Sequence, residues 1–224
     1  MSLFLIGIGI AGFVLQDNFP TYVEKKIKGA NLEYTIRINV KEYEKYRELP
    51  RVKIDNEKYD SKLIPEYNQT FKNAYSDTID PFTVVNETIE DILEQIIDEE
   101  DSNEEKAGKI LDFIHSMEYK TDGRYSYTKY PIETLFEGSG DCEDLSVLFM
   151  SLSKAAKIDY IKTVFVPNST NNTYHIAPAI AGDFTGAYIE YQNIKYYFAE
   201  TTHRTYKIGV PPVGYESNEK IPLK

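Results

Sequence analysis

The single cysteine of this chain, Cys142, stands in the run GSGDCEDLSVLFMSL, where the glycines and Asp141 break the backbone just before an apolar stripe at helical spacing. A cysteine in the first turn of a helix faces unpaired N–H groups and the positive end of the macrodipole, and both favour thiolate over thiol. The same N–H groups can donate to an oxyanion. Cys142 is therefore a candidate nucleophile, set against the competing reading of a small buried apolar side chain. Asp141, Glu143 and Asp144 crowd the thiol with negative charge and raise its pKa, so reactivity demands a compensating cation. Three histidines are available: His115, His175 and His203. His175, in the strand-like TYHIAPAI one helix and one strand after Cys142, is the best placed to hold a rigid imidazole near the sulfur. His115 reads as a surface or core-edge residue and His203 as a loop residue. Glu200 ends the next strand-like run, YYFAETT, from which a carboxylate can lie beside His175 across a ladder and orient its ring.

The elements that must position these groups are legible in the periodicity. LEYTIRINV alternates as a half-buried strand, and a short polar helix, KEYEKYREL, follows it. Residues 50–76 lose periodicity and form a connector that contains the domain boundary. Asp80 and Pro81 predict a helix start, followed by Val85, Ile89, Ile92, Leu93 and Ile96 on one face. Ser102 and Glu105 form a capping-box signature for a second helix, with Ala107, Ile110, Leu111, Ile114 and Met117 inward and an end near Tyr119. The cysteine helix is the third. Beyond it the period changes to short aromatic and β-branched runs, the last two separated by Gln192 and Asn193 as a hairpin turn.

Composition narrows the partners. A length of 224 residues with 42% hydrophobic and 27% charged side chains fits a globular chain with one larger domain and excludes disorder and coiled coil. The net charge of −11 repels phosphate backbones, so nucleic acid is not expected as a partner. One cysteine excludes an intramolecular disulfide framework and a multi-cysteine zinc site. No cofactor or metal is expected, and the acidic residues 98–101 read as a solvated loop between helices. Residues 3–15 (LFLIGIGIAGFVL) form an uninterrupted apolar run, shorter than a full span and without a clear cleavage site, which reads as an anchor or signal-like segment. N-x-S/T triplets at Asn68, Asn86, Asn168 and Asn171 favour an extracytoplasmic, membrane-anchored placement. Lys25, Lys26 and Lys28 after the run argue for the opposite, cytoplasmic one.

With these residues in view, YPIETLFEGSGDCEDLSVLFMSL, TYHIAPAI and YYFAETT, in that order, resemble the transglutaminase-like superfamily, in particular its archaeal and bacterial branch of thiol enzymes. The resemblance covers residues 81–212, and VKEYEKYRELPR looks like the strand–helix prelude of that branch. It implies an α+β fold with a papain-like, transglutaminase-like core: helices packed on an antiparallel sheet, with a small N-terminal strand–helix extension. The expected divisions are residues 1–16 as the apolar segment, 17–78 as extension and connector, 79–212 as the catalytic domain and 213–224 as a tail. By the same resemblance Cys142 is the nucleophile, His175 the base and then acid, and Glu200, where many relatives have Asp, the orienting carboxylate. Animal members place a Trp at the oxyanion, and this chain has none; Tyr119, Tyr127 or Tyr130 would substitute, with Asp141 and Asp144 as supporting groups.

The activity so implied is cysteine-dependent acyl transfer on a protein or peptide amide through a Cys-His-Glu triad, hydrolytic rather than cross-linking. A cell-wall or pseudomurein amidase would use the same triad. The alternative from another class is a non-catalytic binding or scaffolding module on the same fold.

Overall fold

The computed structural model describes residues 21–29, 33–51, 53–55, 82–166 and 174–223. The apolar run at residues 3–15, Asp80, Pro81 and the triplets at Asn68, Asn168 and Asn171 lie outside them. No helix among the described residues is long and apolar enough to cross a membrane.

The strand expected at the N-terminal end has a partner that periodicity did not reveal. Strands β1 (Tyr22–Lys28) and β2 (Glu33–Asn39) pair antiparallel from Tyr22↔Asn39 to Lys28↔Glu33. Tyr34, Ile36 and Ile38 of β2 are buried, and opposite Ile36 stands Lys25, a charge that masks the alternation of β1. Its Nζ donates to the Phe136 carbonyl at 2.6 Å, which satisfies the ammonium. Helix α1 (Val40–Glu48) follows at once, because the Asn39 side chain accepts from Lys41 N and Glu42 N and caps it. Strand β3 (Ile54–Asp55) is a short bridge element.

Helix α2 (Glu87–Ile96) begins six residues after Pro81, where the sequence predicted its start. Asn86 is the N-cap, with Oδ1 accepting from Ile89 N at 3.0 Å, while its Nδ2 donates to Glu42 Oε1 at 2.7 Å. Both ends of this amide are thus committed to the fold, which leaves the Asn86 triplet unsuited to carry a glycan. Helix α3 (Asn103–Ile114) has the expected capping box but stops short of Tyr119, which pairs instead in β4 (Glu118–Tyr119). Strand β5 (Tyr125–Ser126) pairs with β3. Helix α4 (Pro131–Glu137) starts with proline at its first turn and ends at Gly138, whose φ of 70° is the left-handed stop that glycine adopts freely. Strand β6 (Ser139–Gly140) runs parallel to β4 and feeds helix α5 (Cys142–Ala155).

The remaining chain builds one antiparallel sheet from β7 (Tyr160–Phe165), β8 (His175–Ala181), β9 (Tyr188–Tyr191), β10 (Ile194–Phe198) and β11 (Lys220–Leu223), in the order β11-β7-β8-β10-β9. Gln192 and Asn193 make the predicted two-residue turn with φ of 52° and 64°. Residues 213–224, expected as a tail, supply the edge strand β11. α5 lies at the centre, packed by α2, α3 and α4 on one side and by β7 and β8 on the other. Its Leu145, Val147, Leu148, Phe149 and Leu152 are fully buried, each such side chain worth about 2 kcal/mol of transfer free energy. The helices and the antiparallel sheet form the expected α+β architecture. The other face of the sheet carries a second cluster, Ile161, Phe165, Ala177, Ala179, Tyr196 and Phe198, which Tyr215 covers from the loop before β11.

Candidate active site

The start of α5 is fixed by a main-chain ladder. Glu118 N donates to Gly138 O at 3.0 Å and Lys120 N to Gly140 O at 2.9 Å, so Tyr119 is held opposite Gly140, two residues from Cys142. A Cβ on Gly140 would lie 2.6 Å from the Asp144 Cβ, so only glycine lets the helix start this close to the strand. Asp141 is the N-cap and Cys142 the first helical residue, as the sequence predicts.

The thiol nevertheless meets more than the helix dipole. Cys142 is half-buried, and its Sγ donates to Glu143 Oε2 at 3.2 Å while Glu143 Oε1 accepts from Ser126 Oγ at 3.0 Å. Burial, then the charges of Glu143 and Asp141, push the thiol well above its ordinary range; a hydrogen bond from the Ile176 main chain opposes them. Burial and the neighbouring Glu143 raise Asp141 to about 9, and its Oδ1 is buried with no hydrogen-bond partner among the described residues. Burial and Asp141 raise Asp144 to about 7, against the pull of Lys129. That lysine grips Asp144 twice, through its N–H to Oδ1 at 2.7 Å and its Nζ to Oδ2 at 3.0 Å, with Glu137 at 3.3 Å. Burial works against the Lys129 ammonium, and the carboxylates outweigh it and keep it cationic. Asp122, Asp141 and Asp144 each bring an oxygen within 4.8 Å of the others, the one such group among the described residues and a donor set suited to a hard cation. The Lys129 ammonium already faces it. In the acidic segment 98–101, by contrast, Lys109 binds Asp98 and Asp101, both at 2.7 Å, in an exposed loop.

On the sheet side the carboxylate has partners on both oxygens. His175, the first residue of β8, bonds Glu200 Oε2 through Nε2 at 2.7 Å. Oε1 of Glu200 accepts from Thr202 N at 2.8 Å and Thr202 Oγ1 at 2.6 Å. Burial alone would raise this fully buried carboxyl, but the bonds from His175 and Thr202 hold it below the usual carboxylate range. The imidazole is walled by Tyr215 at 5.0 Å and Phe165 at 6.0 Å between ring centroids. The residue after it, Ile176, reaches the Cys142 sulfur through its main chain, so the two strand and helix ends meet there.

Other expectations change on the structure. His115 is buried rather than at a surface or core edge: its Nε2 bonds the Glu200 carbonyl at 2.8 Å, and burial lowers its pKa. His203 is an exposed loop residue stacked on Tyr206, as expected. Of the tyrosines, Tyr119, whose side chain is half exposed, lies in electrostatic contact with Cys142, Asp141 and Glu143, and desolvation of its hydroxyl, then these charges, raises its pKa, so it remains a donor. Tyr130 is turned into the core against Tyr46 and Phe82, and Tyr127 stands between Arg51 and Lys53. Lys129, Ser146, Thr202 and Tyr215 were not foreseen. Only Thr202, two residues after Glu200 in a Glu-Thr-Thr turn, carried a local signal, that of a short side chain bonding back along the chain.

Residues 90–199 match the Transglutaminase-like superfamily. This core of the chain belongs to that superfamily. No curated protein sequence matches the chain. Among solved structures, a protein from Cytophaga hutchinsonii named "Putative Cysteine Protease" is similar at 17% identity and a TM-score of 0.40, over 55% of this chain and 42% of that one. The chain thus spans less than half of that structure. EGTA-treated LapG of Legionella pneumophila is similar at 17% identity and a TM-score of 0.43, over 61% of this chain and 68% of that one. Its calcium-bound form is similar at 15% identity and a TM-score of 0.42, over 74% and 84%.

Proposed function

We propose that the protein is a cysteine-dependent acyl-transfer enzyme that cleaves amide or peptide bonds, with Cys142 as nucleophile, His175 as base and then acid, and Glu200 as the carboxylate that fixes the imidazole. The supporting observation is the 2.7 Å His175–Glu200 bond at a strand end whose next residue, Ile176, binds the Cys142 sulfur. Because burial and the neighbouring carboxylates hold Cys142 as a thiol, attack proceeds by general base catalysis rather than from a preformed ion pair. The sulfur adds to the carbonyl carbon as its proton passes to His175. The oxyanion takes the Cys142 N–H and the Tyr119 hydroxyl as donors. Collapse breaks the C–N bond, and the departing amine takes the proton from His175. Water then adds to the thioester with His175 again as base, releasing the acid and restoring the thiol; this hydrolysis is favoured over transfer to a second amine. The apolar residues 3–15 are proposed to tether the enzyme to a membrane with the domain outside the cytoplasm, which glycan mapping at Asn168 and Asn171 tests.

One observation favours the second reading, a non-catalytic module: the Cys142 thiol rests on Glu143. Incubation with an activated ester, read by intact-mass spectrometry and product release, decides between them. Acylation confined to Cys142, followed by turnover that His175→Ala abolishes, is expected. An unmodified Cys142 in folded protein sinks the enzymatic reading.

A further inference from the structure

Ser146 sits one turn after Cys142 on α5, on the same helix face by its i, i+4 spacing, and is fully buried. Its Oγ donates to Ile176 O at 3.2 Å and meets Thr201 Oγ1 at 3.4 Å. Ile176 follows His175, and Thr201 follows Glu200. One hydroxyl therefore touches the main chain or side chain next to both sheet residues, from the helix that carries the cysteine.

The sheet explains why Ile176 needs it. Main-chain groups of alternate residues in a strand point to the same side. Pro178 O of β8 accepts from Ala199 N, just past the end of β10. Two residues earlier the Ile176 carbonyl faces the same side, where β10 has already ended at Phe198. A buried carbonyl left there would be an unpaired acceptor. α5 supplies the missing partners: Ser146 takes the carbonyl, and the Cys142 sulfur takes a bond from the same residue's main chain.

We propose that Ser146 is a positioning residue that docks β8 on α5 through Ile176, and so sets the distance between the sulfur and the imidazole. The proposal rests on the Cys-His-Glu reading for its catalytic consequence, but its geometric part does not. Two further serines of α5, Ser151 and Ser153, are equally buried, and their hydroxyls lack hydrogen-bond partners among the described residues. They provide the control: the same atoms deleted from the same helix without the strand contact.

The experiment compares Ser146→Ala, Thr201→Val and Ser151→Ala in the full chain. Amide hydrogen exchange at Ile176 and the His175 ring nitrogen resonances are followed alongside kcat and KM on an activated ester. Ser146→Ala is expected to speed exchange at Ile176 about tenfold, to shift the ring resonances and to lower kcat about tenfold with KM little changed. Thr201→Val, which removes the weaker leg, is expected to give a smaller change of the same sign, and Ser151→Ala none in exchange or ring signals. Exchange and ring signals that are the same in Ser146→Ala and Ser151→Ala overturn the proposal. If the wild type has no turnover, the Cys-His-Glu reading fails, while the exchange and ring data still decide whether Ser146 docks the strand.

Discussion

Glu200 and Asp141 are both buried carboxylates, each next to a side chain assigned to the chemistry, and their surroundings drive them in opposite directions. Glu200 has three donors on its two oxygens and stays ionised below the usual carboxylate range. Asp141 has an oxygen with no partner among the described residues and other acids close by, and it is raised to about 9. Depth of burial does not separate them; the number of hydrogen-bond donors does. The carboxylate at the sheet end of the site is therefore assembled and charged at rest, whereas at the helix end Asp141 and the Cys142 thiol are held protonated, the thiol donating to Glu143.

The most severe break removes either of the two groups proposed to react. Cys142→Ala and His175→Ala are each expected to lower turnover of an activated ester by about 10³-fold or more, as loss of one member of a unit that acts together does. Turnover near wild type in either variant would leave the two ends without a shared reaction. Tyr119→Phe comes next, with kcat expected to fall about 10²-fold and KM to stay within about twofold, the signature of a donor used in the transition state. A change confined to KM would assign Tyr119 to substrate binding instead.

The opposed carboxylates also predict how stability follows pH. Glu200, depressed in the folded state, contributes stability that is present above the unfolded carboxylate pKa and is lost as pH falls through the lower folded value. Asp141 and Asp144 act the other way: with folded values of about 9 and about 7, the native state binds more protons than the unfolded chain above about pH 4. Their contribution to stability therefore declines as pH rises from about 4 toward 9, opposite in sign to that of Lys162, which burial lowers to about 7. Asp141→Asn keeps a capping side chain and removes the buried charge, and is expected to flatten that decline by about 2 kcal/mol at pH 8. Denaturant titrations across pH check it; parallel curves for the two proteins would show that Asp141 is not held protonated.

The same contrast marks what could be read from sequence. Cys142 at a helix start, His175 on a strand and Glu200 at a hairpin end follow from turn residues and periodicity within some ten residues of each. The pairing of His175 with Glu200 was accessible because the strand-like runs that carry them follow one another closely, and in the sheet β8 and β10 are neighbours with Glu200 two residues past the end of β10. Ser146 was hidden because nothing in DLSVLF distinguishes it from Ser151 or Ser153; only the end of β10 leaves an Ile176 carbonyl for it to bind. Tyr215 and Lys129 reach the site from loops, and no local pattern fixes where a loop side chain arrives. β1 escaped because Lys25 occupies an inward position and finds its carbonyl 111 residues away. The displaced start of α2 has a plainer cause: a proline signal and an Asn86 cap competed, and the cap whose side chain reaches Ile89 N defines the helix.

The gentlest test sharpens the comparison at the helix end alone. Glu143 is the first charge raising the Cys142 thiol after burial itself, and it is also the acceptor of the S–H. Glu143→Gln keeps the shape and the contact to Ser126 while removing the charge, so the thiol is expected to titrate lower. Since the thiolate is the species that alkylates, the iodoacetamide rate at pH 7 should rise, and the rate-against-pH curve should move bodily to lower pH. Glu200 lies on the other side of the site, so Glu200→Gln is expected to leave that curve within about twofold of wild type. Equal shifts from both substitutions would mean that the two ends titrate as one network, and that the difference in donors around Asp141 and Glu200 does not divide the site.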